Sequence, residues 1–236
     1  MHTDLKVIAK NFVYLFTFKG LNVFIPLITM PFLIEKIGID KFGLLAFALS
    51  IATYFGALIQ YGFNVSATRE IARNRDNNNV VSVIYTNTIN ASLLLSILSF
   101  LIFSIAIFTV QIFESDKTVF ITALLFIVLN SLFPIWLFQG LEKLYLVAQI
   151  GYFISLFTLV SEQEDYKIVY TLNAIAVLVS LISALYITKY KFNINYLGFN
   201  IADVMEVYRK GWPAFLTQLA PSLYNNTATF LLGLNA

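Results

Sequence analysis

The chain has 236 residues and a formal net charge of +2; 59% of its residues are hydrophobic, 12% are charged, and its mean hydropathy is +0.79. That composition excludes an ordinary soluble domain, and the absence of cysteine, with His2 as the one histidine, excludes a disulfide framework, thiolate metal sites and Cys–His catalysis. The near-balanced charge gives no support for nucleic-acid binding, which calls for clustered Lys and Arg outside the apolar stretches, so no nucleic-acid partner is expected.

Seven apolar segments, near 12–34, 42–64, 81–113, 118–140, 144–161, 168–188 and 211–234, are each expected to cross a bilayer, since about 20 apolar residues span its hydrocarbon core as a helix. No removable signal peptide precedes them, so the first span is expected to insert the chain itself. Between Phe12 and Ile34 that span carries one charge, Lys19, and two prolines, Pro26 and Pro31. A proline removes a backbone hydrogen bond, which hydrocarbon tolerates only under cover of other helices or an aqueous cavity. At helical spacing, Asn11, Lys19, Asn22, Pro26 and Thr29 fall within an arc of roughly 80°. Lys19 either snorkels to the near interface or faces inward toward an anion, and the polarity of its face favours the second reading.

The connections 35–41, 114–117, 141–143 and 162–167 are too short for a domain, so the spans they join run antiparallel. Lys and Arg then fall unequally. One side holds Lys6, Lys10, Arg69, Arg73, Arg75, Lys143, Lys189, Lys191, Arg209 and Lys210, and the other Lys36, Lys41, Lys117 and Lys167. The positive-inside rule places the N-terminus in the cytoplasm. Within SATREIARNR, Ser66 to Arg75, the residues Arg69 and Arg73 share a helical face ahead of the Asn77-Asn78-Asn79 turn. They read first as orienting charges, and second, with Arg75, as contacts for lipid phosphate. After Asn200, a helix cap, Ile201, Val204, Met205 and Tyr208 recur at helical spacing, which is the pattern of a helix lying in the membrane interface. The organisation expected is a six-helix transmembrane lobe over 1–192, an interfacial linker helix over 193–210, and over 211–236 the first helix of a second lobe: an all-α membrane bundle.

All thirteen acidic residues lie in loops or at span ends. A cation pump built on an intramembrane carboxylate, a pair of glycosidase carboxylates, a phosphate-cradling loop and a metal site are therefore not supported, and no cofactor is expected. Uncharged polar residues are instead common in the spans: Gln60 and Asn64, Asn87 and Asn90, Asn130 and Gln139, Asn173, then Thr217, Gln218, Asn225 and Asn226. Each alone reads as a hydrogen bond between helices, and together they suit a sugar.

Four stretches, YLFTFKGLNVFIPLITMPFLIEKIGIDKFG (14–43), YGFNVSATREIARN (61–74), PIWLFQGLEK (134–143) and GWPAFLTQLAPSLYNNTATFLLGL (211–234), resemble in order and position the Wzx-type O-antigen flippases, of the polysaccharide transporter branch of the MATE-like exporters. The resemblance implies a bacterial inner-membrane protein that moves an undecaprenyl-pyrophosphate-linked oligosaccharide from the cytoplasmic to the periplasmic leaflet. It implies membrane lipids and polysaccharide polymerase as associates. Lys19, Asn22 and Gln60 are then the cavity candidates, and Arg69, Arg73 and Arg75 the attraction for diphosphate. The chain departs from the family pattern in ending within the seventh of about twelve spans, in carrying Lys19 where glutamine is common, and in a short fifth span. Alternating access needs two lobes, so the chain alone is expected not to flip unless two copies or a separate half assemble the cavity. The other readings are a MATE-type drug exporter, which shares the fold, and a membrane glycosyltransferase or polymerase.

Overall fold

The computed structural model of the chain describes Gly20, Phe24 and residues 27–114, 116–143 and 159–234. Lys19, Asn22 and Pro26 lie outside the described residues, as does most of the fifth expected span. Among the described residues all regular structure is helical. In chain order these are α1 (27–37), α2 Ile39–Gln60, α3 Phe63–Asn74, α4 Asn78–Thr109, α5 Lys117–Leu132, α6 Ile135–Gly140, α7 Val169–Tyr190 and α8 Ile201–Leu234, with short 3-10 turns at Gln111–Phe113 and Gln163–Ile168.

Local chemistry sets the boundaries. Asn77 opens α4 by accepting from Asn79 N and Val80 N at 3.2 and 3.3 Å, and Asp116 opens α5 by accepting from Thr118 N and Val119 N. Pro134 has no backbone N–H to donate to the α5 ladder, and α5 gives way there to α6. Between α2 and α3 two consecutive residues, Tyr61 and Gly62, take left-handed φ values of 42° and 72°. Glycine is required at 62 on two counts. Its φ is costly for any side chain, and an added Cβ would meet Phe215 N at 2.5 Å and Ala214 C at 2.6 Å, because α8 crosses directly over it.

Among the described residues four stretches are long and apolar enough to cross a membrane by length and composition: Ile39–Asn74, Asn78–Thr109, Lys117–Gly140 and Gln163–Tyr190. They coincide with the second, third, fourth and sixth expected spans. The seventh does not reach the same level, since Thr217, Gln218, Asn225 and Asn226 dilute its hydropathy. It also does not begin anew at 211. The expected interfacial helix and the expected span are one unbroken helix, α8, which carries Pro213 and Pro221 inside it. Asn200 caps it as expected, accepting from Ala202 N at 3.0 Å. In its first turns Val204 is fully buried against the α3–α6 cluster, whereas Ile201 and Met205 are exposed.

Antiparallel packing gathers the ends. At one end Arg75 Nη1 pairs with Glu142 Oε1 at 2.6 Å, and Asn78 Nδ2 donates to Phe192 O at 3.0 Å. This end carries Arg69, Arg73, Arg75, Lys143, Lys189, Lys191, Arg209 and Lys210. At the other, the Tyr166 hydroxyl donates to Asp116 Oδ2 at 2.7 Å and Lys41 Nζ sits 4.5 Å from the Tyr166 ring centre. The principal core, from α2, α4, α5 and α7, is built on Phe47, Ile51, Phe103, Phe120, Leu124 and Tyr170, the last also tying α7 to α2 by donating to Leu45 O at 2.7 Å. A second cluster at the basic end joins Phe63, Ile71, Tyr85, Trp136, Leu137 and Val204. Lipid is as apolar as these side chains, so close fit and shared hydrogen bonds hold the helices together.

Between α7 and α8 the chain runs without helix or strand along the side of α4. Ser82, Thr86 and Asn90, one turn apart, receive it: Asn195 N donates to Ser82 Oγ at 3.0 Å, Leu197 N to Thr86 Oγ1 at 3.0 Å, and Asn90 Nδ2 donates to Gly198 O at 2.9 Å. Tyr208, two turns into α8, adds a hydroxyl bond to Ala91 O at 2.7 Å. Asn90 thus satisfies the irregular backbone of this strap, a different duty from the helix-to-helix bond expected of it.

Candidate functional site: an uncharged polar cleft

Polar residues far apart in sequence meet in a cleft of about 430 Å³ bounded by α2, the start of α3, the end of α5 and the middle of α8. On α2, Thr53, Gly56, Ala57 and Gln60 recur every three or four residues and present one face; Ile127, Asn130 and Ser131 do so on α5, and Thr217, Gln218 and Pro221 on α8. Asn64 closes the end near the α2–α3 break. The inner wall is tight: a Cβ on Gly56 would come within 2.7 Å of Ile127 and 3.3 Å of Ser131 Oγ. The opposite wall, α8, is fastened to α2 on both sides of the cleft. Tyr61 and Phe215 stack at 4.7 Å on one side, and Phe47 stacks on Phe230 at 6.1 Å on the other, where Tyr54 and Thr227 also share a hydroxyl bond of 3.3 Å.

Among the described residues the lining contains no acid, base or histidine. Thr53 and Thr217 spend their hydroxyl protons on their own helices, on Leu49 O at 2.7 Å and Ala214 O at 2.8 Å, which leaves oxygen lone pairs toward the cleft. Asn64 Nδ2 donates to Gln60 Oε1 at 2.8 Å, orienting the Gln60 amide. Ser131 differs from these: it is 6% exposed, and its Oγ has no hydrogen-bond partner among the described residues. A buried polar atom left unpaired is costly, which marks a place where a guest's hydroxyl or a water belongs. Such a lining can donate to and accept from a neutral polar guest. Among the described residues it holds no group able to neutralise an ion or shuttle a proton.

Of the residues singled out from sequence, Gln60, Asn64, Asn130, Thr217 and Gln218 meet in this cleft. Arg69 and Arg73 lie exposed on α3, on the face opposite buried Ala67 and Ile71, and form no ion pair among the described residues. Arg75 is engaged by Glu142. Asn87 lies in a separate recess of about 220 Å³ between α3, α4 and α8, beside Glu70, Asp203, Glu206 and Lys210. There Lys210 Nζ holds Glu206 Oε1 at 2.8 Å. The hydrogen bond to Lys210 and its charge hold the Glu206 carboxyl below the usual range, and the hydrogen bond to Glu206 is the largest cause raising Lys210. Ser131 was missed by sequence reasoning. A lone serine at the end of an apolar run carries no signal until α2 is packed against it. Among the described residues no group of histidine, cysteine, aspartate or glutamate is placed to hold a metal.

Helices apolar enough to span a bilayer, packed antiparallel beside a polar cleft, define a multi-pass α-helical membrane protein. The chain belongs to the polysaccharide biosynthesis protein family, which it matches over residues 8–236. It is 26% identical over 239 residues to a protein of Escherichia coli (strain K12) named "Putative O-antigen transporter", and 27% identical over 233 residues to a protein of the same name from Shigella dysenteriae. The alignments cover 99% and 96% of this chain but 58% of each relative, so the chain spans little more than half the length of the proteins it matches. No solved structure matches the chain. Family membership agrees with the resemblance to Wzx-type polysaccharide flippases drawn from the four sequence stretches.

Proposed function

We propose that the chain serves in the transport of polysaccharide repeat units, carried on undecaprenyl pyrophosphate, from the cytoplasmic to the periplasmic leaflet of a bacterial inner membrane. The observation that supports this most directly is the cleft. An amide- and hydroxyl-lined space inside an apolar bundle offers an oligosaccharide the hydrogen bonds it would lose on leaving water, while a polyprenyl tail stays in lipid. Substrate near the mid-plane between rocking lobes is the usual arrangement of alternating-access carriers. In this reading residues 1–192 form the first lobe, 193–210 the connection and 211–236 the start of a second, with the basic end in the cytoplasm. Lys19 and Asn22, outside the described residues, are the further cavity candidates beside Gln60. Arg69 and Arg73, unlike ion-paired Arg75, are available to the diphosphate as it approaches. The protein moves its substrate without altering it, working between the transferases that build the unit and the polymerase that consumes it. An exporter of cationic drugs is less well supported, because no carboxylate among the described residues lines the cleft.

The test is genetic and chemical. Deletion at the native locus is expected to abolish surface polysaccharide and to leave the lipid-linked repeat unit on the cytoplasmic side, with both effects reversed by the intact gene. Undiminished surface polysaccharide in the deletion strain would refute the proposal.

A further inference from the structure

Helix lengths and chain breaks mark one level of the fold as the edge of the bilayer. α4 has 32 residues and is about 48 Å long, about 18 Å more than a hydrocarbon core of about 30 Å accommodates. The excess lies at the basic end: from Leu93 to Phe108 every exposed residue of α4 is apolar, whereas the turns from Asn78 to Asn90 pack against α3, α8 and the strap. Other elements break at the same level. Counted from the turn at 75–77, the 12 residues of α3 bring the Tyr61–Gly62 break level with about Asn90. α6 stands beside α3, with Thr68 Oγ1 donating to Trp136 O at 3.2 Å, and α5 stops short of it at Leu132. The strap also ends there, with Tyr196 and Gly198 bound to Asn90, and α8 begins at Ile201.

We propose that the membrane-side end of the strap, Tyr196 to Ile201, is an interfacial anchor, inserting Leu197 and Phe199 at the boundary between headgroups and acyl chains. α3, α6 and the first three turns of α4 then stand clear of the membrane as a collar about 18 Å tall. Leu197 and Phe199 are 59% and 57% exposed, and Ile201 continues their apolar surface. The strap is irregular, and irregular backbone is excluded from hydrocarbon unless its polar groups are satisfied. On the side toward α4 the rungs to Ser82, Thr86 and Asn90 satisfy them, and at the headgroup level water reaches the other side. The flanking residues fit that level. Tyr186 and Tyr190 stack at 4.7 Å on the last turns of α7, both exposed, and Lys189 and Lys191 lie beside them. Amphipathic aromatic rings and basic side chains together are the composition that a headgroup layer with anionic lipids favours. A second protein chain would have no reason to meet the fold where its apolar spans end, which favours lipid as the occupant.

The experiment attaches a nitroxide to single cysteines in the full chain, which has none of its own, reconstituted in phosphatidylglycerol–phosphatidylethanolamine vesicles. Leu197→Cys and Phe199→Cys probe the anchor, Ile97→Cys the lipid-facing side of α4, and Arg73→Cys the collar. All four side chains are exposed, so no packed residue is lost. Collision with oxygen, which concentrates in lipid, is compared with collision with a water-soluble nickel chelate. The labels at 197 and 199 are expected to report a depth of about 5–10 Å, at the headgroup–acyl boundary. The label at 97, seven residues beyond Asn90, should lie about 10 Å deeper, and the label at 73 should report water. Labels at 197 and 199 as open to the nickel chelate as the label at 73 would overturn the anchor. Low collision with both reagents at 197 and 199 would overturn it in favour of a covering protein chain. A label at 73 that reports lipid would overturn the collar and the bilayer level from which the anchor is placed.

Discussion

The hydroxyl of Tyr196 donates to Asn90 Oδ1 at 2.9 Å while the amide of the same Asn90 donates to Gly198 O, so one mid-helix asparagine is saturated by residues more than a hundred positions away. This bond is the end of a ladder in which polar side chains of α4 stand in for the missing partner strand of the strap. Buried backbone groups must be paired, and here a helix face pairs them.

Thr86→Val tests that ladder at its middle rung. The substitution keeps the shape and removes the acceptor of Leu197 N. Amide hydrogen exchange over 192–199 is expected to accelerate by about tenfold, as the bond from Leu197 N and the longer bond that Thr86 Oγ1 donates to Asn195 O are both lost, at ~1 kcal/mol or less each, with exchange in α7 unchanged. Unaltered exchange at Leu197 would mean that the strap is held by other means.

The closeness of α8 to the α2–α3 break predicts opposite results at two glycines. Gly62→Ala places a methyl against the backbone of Ala214 and Phe215 at a left-handed φ, and should destabilise the protein by roughly 1–3 kcal/mol in thermal unfolding. Gly43→Ala meets nothing within 4 Å inside α2 and should be neutral or stabilise by about 0.5–1 kcal/mol.

Because the chain has no cysteine, its orientation can be read without background. Asp76→Cys, at the basic end, should resist an impermeant thiol reagent in intact cells, whereas Glu114→Cys, in the opposite turn, should react. The reverse pattern would invert the topology proposed from the basic residues.

The pair Glu206–Lys210 predicts a weak pH dependence whose sign is fixed. Glu206 has a lowered folded value, so its contribution is present above the ordinary carboxylate range and fades as pH falls through that lowered value. Lys210 has a raised folded value, so its contribution is present below the ordinary lysine range and fades as pH rises through the raised value. The difference in thermal midpoint between wild type and Lys210→Met should therefore be small and constant near neutrality, and should vanish on acidification. A difference that grows toward acid would contradict this.

Hydropathy alone placed α2, α4, the α5–α6 pair and α7, because a bilayer imposes both a length and a composition on each span. The Asn77 and Asn200 caps were legible for a different reason, since capping is local and depends on two or three neighbouring residues. What depended on tertiary packing was not legible. Gly211 and Pro213 read as a boundary between a linker and a span, yet the helix continues through them, carried by Tyr61, Trp212 and Phe215 stacking across the crossing point. Gln60 could be named from its place in a span, but its companion Ser131 could not. Their meeting requires α2 and α5 to approach closely at Gly56, and nothing in either segment announces the other.

The strap has one more consequence. Three polar residues of α4, each a turn apart, fix it in a single register, and a shift of one position would misalign every rung together. The start of α8 therefore cannot slide along its neighbour as a piston does. A swing of α8 from that fastened end would part the stacked aromatic rings on either side of the cleft and widen it, in the manner of a door whose hinge is an asparagine and a tyrosine.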